Sequence, residues 1–163
     1  MLNLRNSSFT CLAIGSLFLA ACDNATAPAM TAKPISTSTA PASESFQMTA
    51  QLSGEAETPP NKSKATGMLE ASLDKPSSVL TWTITYSDLT GPATAAHFHG
   101  PAALGVNAPP VLPLSGVLNS PIKGTATLTP AQASDLTSGN WYLNVHTAAN
   151  PEGEIRGQVT IKK

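Results

Sequence analysis

Cysteine is almost missing from this chain: 163 residues contain two, Cys11 and Cys22, both close to the N-terminus. No disulfide framework can hold the body of the protein, so a packed core or a metal has to stabilise it. Charge is scarce as well, at 12% of residues, and no basic run occurs beyond Lys162-Lys163. Nucleic acid is excluded as a partner on that ground. A membrane-spanning helix needs about 20 apolar residues. The uncharged run from Phe9 to Ala21 falls short of that. Gly-x-Ser-x-Gly and Gly-rich phosphate loops are absent, and neither cysteine lies where it could act as a nucleophile in a folded domain.

What is present begins with that short run. Arg5 precedes it, and Leu19-Ala20-Ala21-Cys22 closes it. A charged start, an apolar core and small residues make a secretory signal, here residues 1–21. The last four residues resemble a bacterial lipobox, which implies cleavage before Cys22 and lipid on its sulfur. The alternative is an ordinary signal peptide followed by a chance cysteine. The lipobox reading places the protein in the cell envelope, anchored to a membrane on its periplasmic or cell-surface face. The lipid bilayer is then one partner, through Cys22.

Residues 22–44 are mostly Ala, Thr, Ser and Pro, with Ile35 as the one branched aliphatic residue. Such a segment cannot bury enough apolar area to offset its ordering entropy, and it reads as a disordered tether. From 45 to 163 the pattern changes to period two. Leu80, Trp82, Ile84 and Tyr86 alternate with Thr81, Thr83 and Thr85, and similar sets start at Phe46, Leu69, Trp141 and Ile155. Pro and Gly punctuate them at Thr58-Pro59-Pro60, Gly91-Pro92, Gly100-Pro101 and Asn150-Pro151. Half-buried antiparallel strands follow from this, in a single all-β domain of sandwich or barrel type. Thr129-Pro130-Ala131-Gln132 predicts one short helix, with a capping threonine, proline at the first position and Gly139 as its stop.

All three histidines fall where strands would present them away from the core. His97 and His99 share a face because they are two apart, while Ala96 and Phe98 point inward. His146 follows Tyr142 and Asn144 on the face opposite Leu143 and Val145. If the two strands are neighbours, three imidazoles converge and could hold copper or zinc. The other reading is three rings that merely hydrogen-bond nearby loops. Glu152 and Glu154 flank Gly153 and read as a solvated hairpin tip. Arg156 reads as a salt-bridge partner of either one, or as a stem packed across the sheet.

Longer segments match a known pattern. Gln51-Leu52-Ser53-Gly54, Ala96-His97-Phe98-His99-Gly100-Pro101, Asn144-Val145-His146-Thr147 and Gly153-Glu154-Ile155-Arg156-Gly157 occur in order. In that order they resemble the CHRD domain of chordin and of many bacterial secreted proteins, over about residues 46–160. The resemblance implies an antiparallel Greek-key, immunoglobulin-like β-sandwich, extracellular and without established enzymatic activity. A more distant similarity links the histidines to copper/zinc superoxide dismutases. It would make His97, His99 and His146 copper ligands and Arg156 a substrate guide. The chain departs from that family in having no fourth or bridging histidine and no disulfide cysteines. Three functions are weighed: a non-catalytic module binding an envelope or extracellular protein, a copper- or zinc-binding protein, and, last, a metal-dependent redox enzyme.

Overall fold

The computed structural model describes residues 44–163. The signal segment, Cys22 and nearly all of the tether lie outside the described residues. The elements are β1 (Ser45–Ser53), β2 (Thr66–Asp74), β3 (Val79–Ser87), β4 (Ala93–His99), β5 (Pro110–Pro113) and β6 (Ile122–Thr127). They are followed by α1 (Pro130–Thr137), β7 (Tyr142–Thr147), β8 (Ile155–Gln158) and β9 (Thr160–Ile161). No helix among the described residues is long and apolar enough to cross a membrane.

The expected antiparallel all-β class with one short helix is what the chain forms. Its strands hydrogen-bond into one sheet in the order β5-β4-β7-β8-β1-β2-β3-β6, with β9 added alongside β1. The sheet curls into a half-barrel around its apolar face. Trp82 of β3 meets Phe98 of β4 edge-on at 5.7 Å between ring centres, and Phe98 meets Trp141 at 5.9 Å. β3 and β4 are far apart along the sheet, so these contacts arise only because it wraps round. The alternation read from the sequence supplies the lining: Leu80, Trp82 and Ile84 of β3 and Leu143 and Val145 of β7 are all buried.

The helix is built as its sequence suggests. Thr129 accepts a hydrogen bond from the Gln132 amide, and the Gln132 side chain accepts one from the Thr129 amide. Gly139 follows at φ +76°, where a side chain would be strained. Leu136 is the buried residue that docks α1 on the core.

One expectation is corrected here. Glu154 is not at a solvated hairpin tip but fully buried, whereas Glu152 is exposed. The Glu154 carboxylate accepts from Ser63 Oγ at 2.7 Å, Thr90 Oγ1 at 2.7 Å, Thr147 Oγ1 at 2.6 Å and the Thr90 amide at 2.9 Å. Burial pushes its pKa up, but these donors outweigh burial and hold it down to about 2. The carboxylate thereby ties the segments before β2 and β4 to the β7–β8 hairpin. Its folded pKa lies below the ordinary 4.5, so the unfolded chain binds more protons in between. Stability from this group is complete above the unfolded value and is lost as pH falls toward 2. Glu154→Gln should cost about 1–3 kcal/mol at neutral pH and flatten the acid limb of the stability curve. Denaturant unfolding at a series of pH values checks this, and an unchanged acid limb would contradict it.

Candidate functional site

The site follows from strand register. In the β4–β7 pair, His97 lies opposite Asn144, His99 opposite Tyr142 and Ala95 opposite His146. In the β7–β8 pair, Asn144 lies opposite Arg156. Alternation sends Ala96, Phe98, Leu143 and Val145 into the core, each fully buried. His97, His99, Tyr142, Asn144, His146 and Arg156 consequently share the other face. The predicted convergence is therefore present: one ring nitrogen from each histidine lies within 4.8 Å of the other two.

That face is not open to water. Residues 101–109 run across it as a strap, so β7 is buried on both sides. The strap fixes the rings. His99 Nδ1 lies 2.9 Å from the Ala108 carbonyl, and His146 Nδ1 lies 2.9 Å from the Pro151 carbonyl. A carbonyl only accepts, so both Nδ1 atoms carry the proton and both Nε2 atoms present lone pairs. Both lone pairs turn inward, each Nε2 being 3.0 Å from Asn144 Oδ1. His97 is half-buried and has no carbonyl partner, and its Nδ1 is 3.1 Å from His146 Nε2. It donates there in one tautomer and offers a third lone pair in the other. Burial, with the nearby histidines, lowers the pKa of His97, and burial likewise lowers that of His99. Both stay neutral at pH 7, which is the form that binds metal.

For Arg156 the ion-pair expectation is corrected, while packing across the sheet, the other expectation, agrees with what it does. It forms no ion pair among the described residues. Its guanidinium donates to Asn107 Oδ1 and to the Val106 carbonyl, both at 2.7 Å, and lies 3.4 Å from the Tyr142 ring centre. Tyr142 stacks its ring on His99 at 4.7 Å and 5°. Tyr142 is therefore clamped between the cation and the imidazole, and its hydroxyl is within 3.2 Å of both the nitrogen and the oxygen of Ala108. With 2% of its surface exposed, Arg156 fastens the strap and does not meet an incoming solute, as a substrate guide would have to.

Two participants escaped the sequence reading. Asn144 sits two before His146 and so on its face, a signal that was legible. Glu57 gave none, since it arrives from the loop after β1. It is buried, and that burial raises its pKa to about 7 against the pull of the Arg156 cation. Its Oε1 has no hydrogen-bond partner.

The matching segments seen in the sequence lie along these same strands. The CHRD domain model matches residues 48–159, from the first strand to the last buried residue. The chain belongs to the CHRD domain family. CHRD domains are a non-enzymatic, binding or structural family. No curated protein and no solved structure matches the chain. In this CHRD domain the strap depends on a single cation. Arg156→Met should lower stability by about 2–3 kcal/mol through loss of two charge-assisted hydrogen bonds and the ring contact. Limited proteolysis would then cut within 101–109 at protease levels that leave the parent chain intact. Equal resistance in the two proteins would contradict this account.

Proposed function

We propose that this CHRD protein is a lipid-anchored module of the cell envelope that holds one copper or zinc ion through His97, His99 and His146 and carries out no catalysis. The observation that supports it most strongly is the tautomer pattern. Two backbone carbonyls hold the Nδ1 protons of His99 and His146, which turns both Nε2 lone pairs toward one point beside His97. Ligand imidazoles in metal sites are oriented in this way by carbonyl and carboxylate partners behind them. An ion bound at 2.0–2.1 Å would draw nitrogens now up to 4.8 Å apart to about 3.4 Å. His97, half-buried and without a carbonyl partner, is the ring that can move.

The non-catalytic character rests on the family and on the surroundings. The one arginine on the face is locked under the strap, and the Glu57 carboxyl is buried behind Asn144 and Gly153. A Greek-key, immunoglobulin-like sandwich is the finer form we assign to the curled sheet, supported by Trp82 meeting Phe98 across its interior. The lipid on Cys22 and the tether would carry the module at a membrane surface, facing an envelope or extracellular protein partner.

Two measurements test the reading. Calorimetry with zinc or copper on the purified chain should give one ion per chain. His97→Ala or His146→Ala should weaken binding roughly 100-fold or more. Binding should also weaken as pH falls below the ordinary histidine range, because protons compete for the same lone pairs. Affinity unchanged in both variants would overturn the metal reading. For the anchor, the parent chain should fractionate with membranes and Cys22→Ser should not. A membrane-bound Cys22→Ser protein would rule out lipidation at that residue.

A further inference from the structure

We infer that Asn144 completes the cluster as a fourth donor through its carboxamide oxygen, making a closed site of three nitrogens and one oxygen for a divalent ion. This deepens the three-histidine reading and rests on it. Asn144 Oδ1 is 3.0 Å from His99 Nε2 and 3.0 Å from His146 Nε2, and His97 Nδ1 is 3.1 Å from His146 Nε2. Donors bound to one ion at 2.0–2.1 Å are spaced about 2.9 Å apart at right angles and about 3.4 Å apart in a tetrahedron. Three of the six edges fall inside that range, while the histidine nitrogens are up to 4.8 Å apart and contract to it as the ion draws them in.

The hydrogen-bond chemistry points the same way. Oδ1 only accepts, and both Nε2 atoms facing it carry lone pairs because their rings hold the proton on Nδ1. A proton on His97 Nδ1 serves His146 Nε2 in one tautomer, but Asn144 Oδ1 and His99 Nε2 still face each other as acceptors and repel unless something positive lies between them. Protonating the rings would supply it at the cost of placing two imidazolium ions in a buried site. A divalent cation satisfies all three at once.

A Cβ added to Gly153, at φ +133°, would lie 3.0 Å from Asn144 Nδ2 and within contact of the Glu57 carboxyl. Nδ2 and the carboxyl of Glu57 therefore border the same small space. Gly153, having no side chain, leaves room for both groups. A nitrogen and oxygen donor set with no sulfur suits zinc(II) or copper(II) and disfavours copper(I).

The test is azide added to the full chain loaded with copper(II), followed by the visible azide-to-copper band and by electron paramagnetic resonance. In the parent protein azide should leave both spectra unchanged, because no position is open. Asn144→Ala should still bind one copper and should gain the azide band. Asn144→Asp keeps an oxygen donor and adds charge. It should stay silent to azide and bind zinc about 10-fold more tightly. The Asp variant also separates ligation from a general loss of structure. Azide binding to the parent as readily as to Asn144→Ala would overturn the inference while leaving the three-histidine reading intact. So would silence in the copper-loaded Ala variant, or azide binding to the Asp variant. Failure of the parent chain to take up copper or zinc at all would sink the underlying reading instead.

Discussion

The pairing of β4 with β7 is the constraint on which the rest depends. With His97 opposite Asn144, every second residue of both strands is committed to one face. A slip of one residue in β4 would carry Ala96 and Phe98 out of the core and His97 and His99 into it, and a slip in β7 would do the same to Leu143, Val145 and His146. The cost of exposing or stranding those side chains fixes the register, and so the positions of the rings. Packing of Phe98 between Trp82 and Trp141 thus defines the geometry of a polar cluster on the far side of the sheet.

The second layer over that cluster changes its electrostatics. Without the strap, the histidine face would be an ordinary wet surface of an antiparallel sheet. With it, Tyr142, Asn144, His146 and Arg156 are buried polar groups that need partners. Backbone carbonyls, a tyrosine ring and an asparagine supply them, and none carries a negative charge. Burial keeps His97 and His99 neutral, and the carbonyls aim the rings of His99 and His146. Negative charge is placed elsewhere, on Glu154 locked among hydroxyl groups, while burial raises Glu57 behind Asn144 to about 7 and so disfavours its charge.

Much of this was legible in the residues. Period-two alternation located the strands, because one face of each is apolar along its length. The capping threonine and its proline located the helix. His97, His99 and His146 were placed on faces opposite apolar sets, and adjacency of their strands brought them together. What the residues could not show is that the polar face is itself covered. Alternation reports which side meets the core and says nothing about a loop that folds back over the other side. For that reason Glu154 reads as a solvated tip, and Arg156 as an ion-pair partner or a stem packed across the sheet. The curl of the sheet was equally hidden, since it depends on contacts between strands remote in both sequence and pairing order.

The account stands on one claim, that a metal ion sits among these side chains with nitrogen and oxygen around it. X-ray absorption of the zinc-loaded chain measures that coordination shell directly. The account predicts a first shell of nitrogen and oxygen scatterers at about 2.0–2.1 Å with the outer-shell pattern of three imidazoles. An oxygen-only shell without imidazole scattering, or zinc spread over several weak sites, would contradict it.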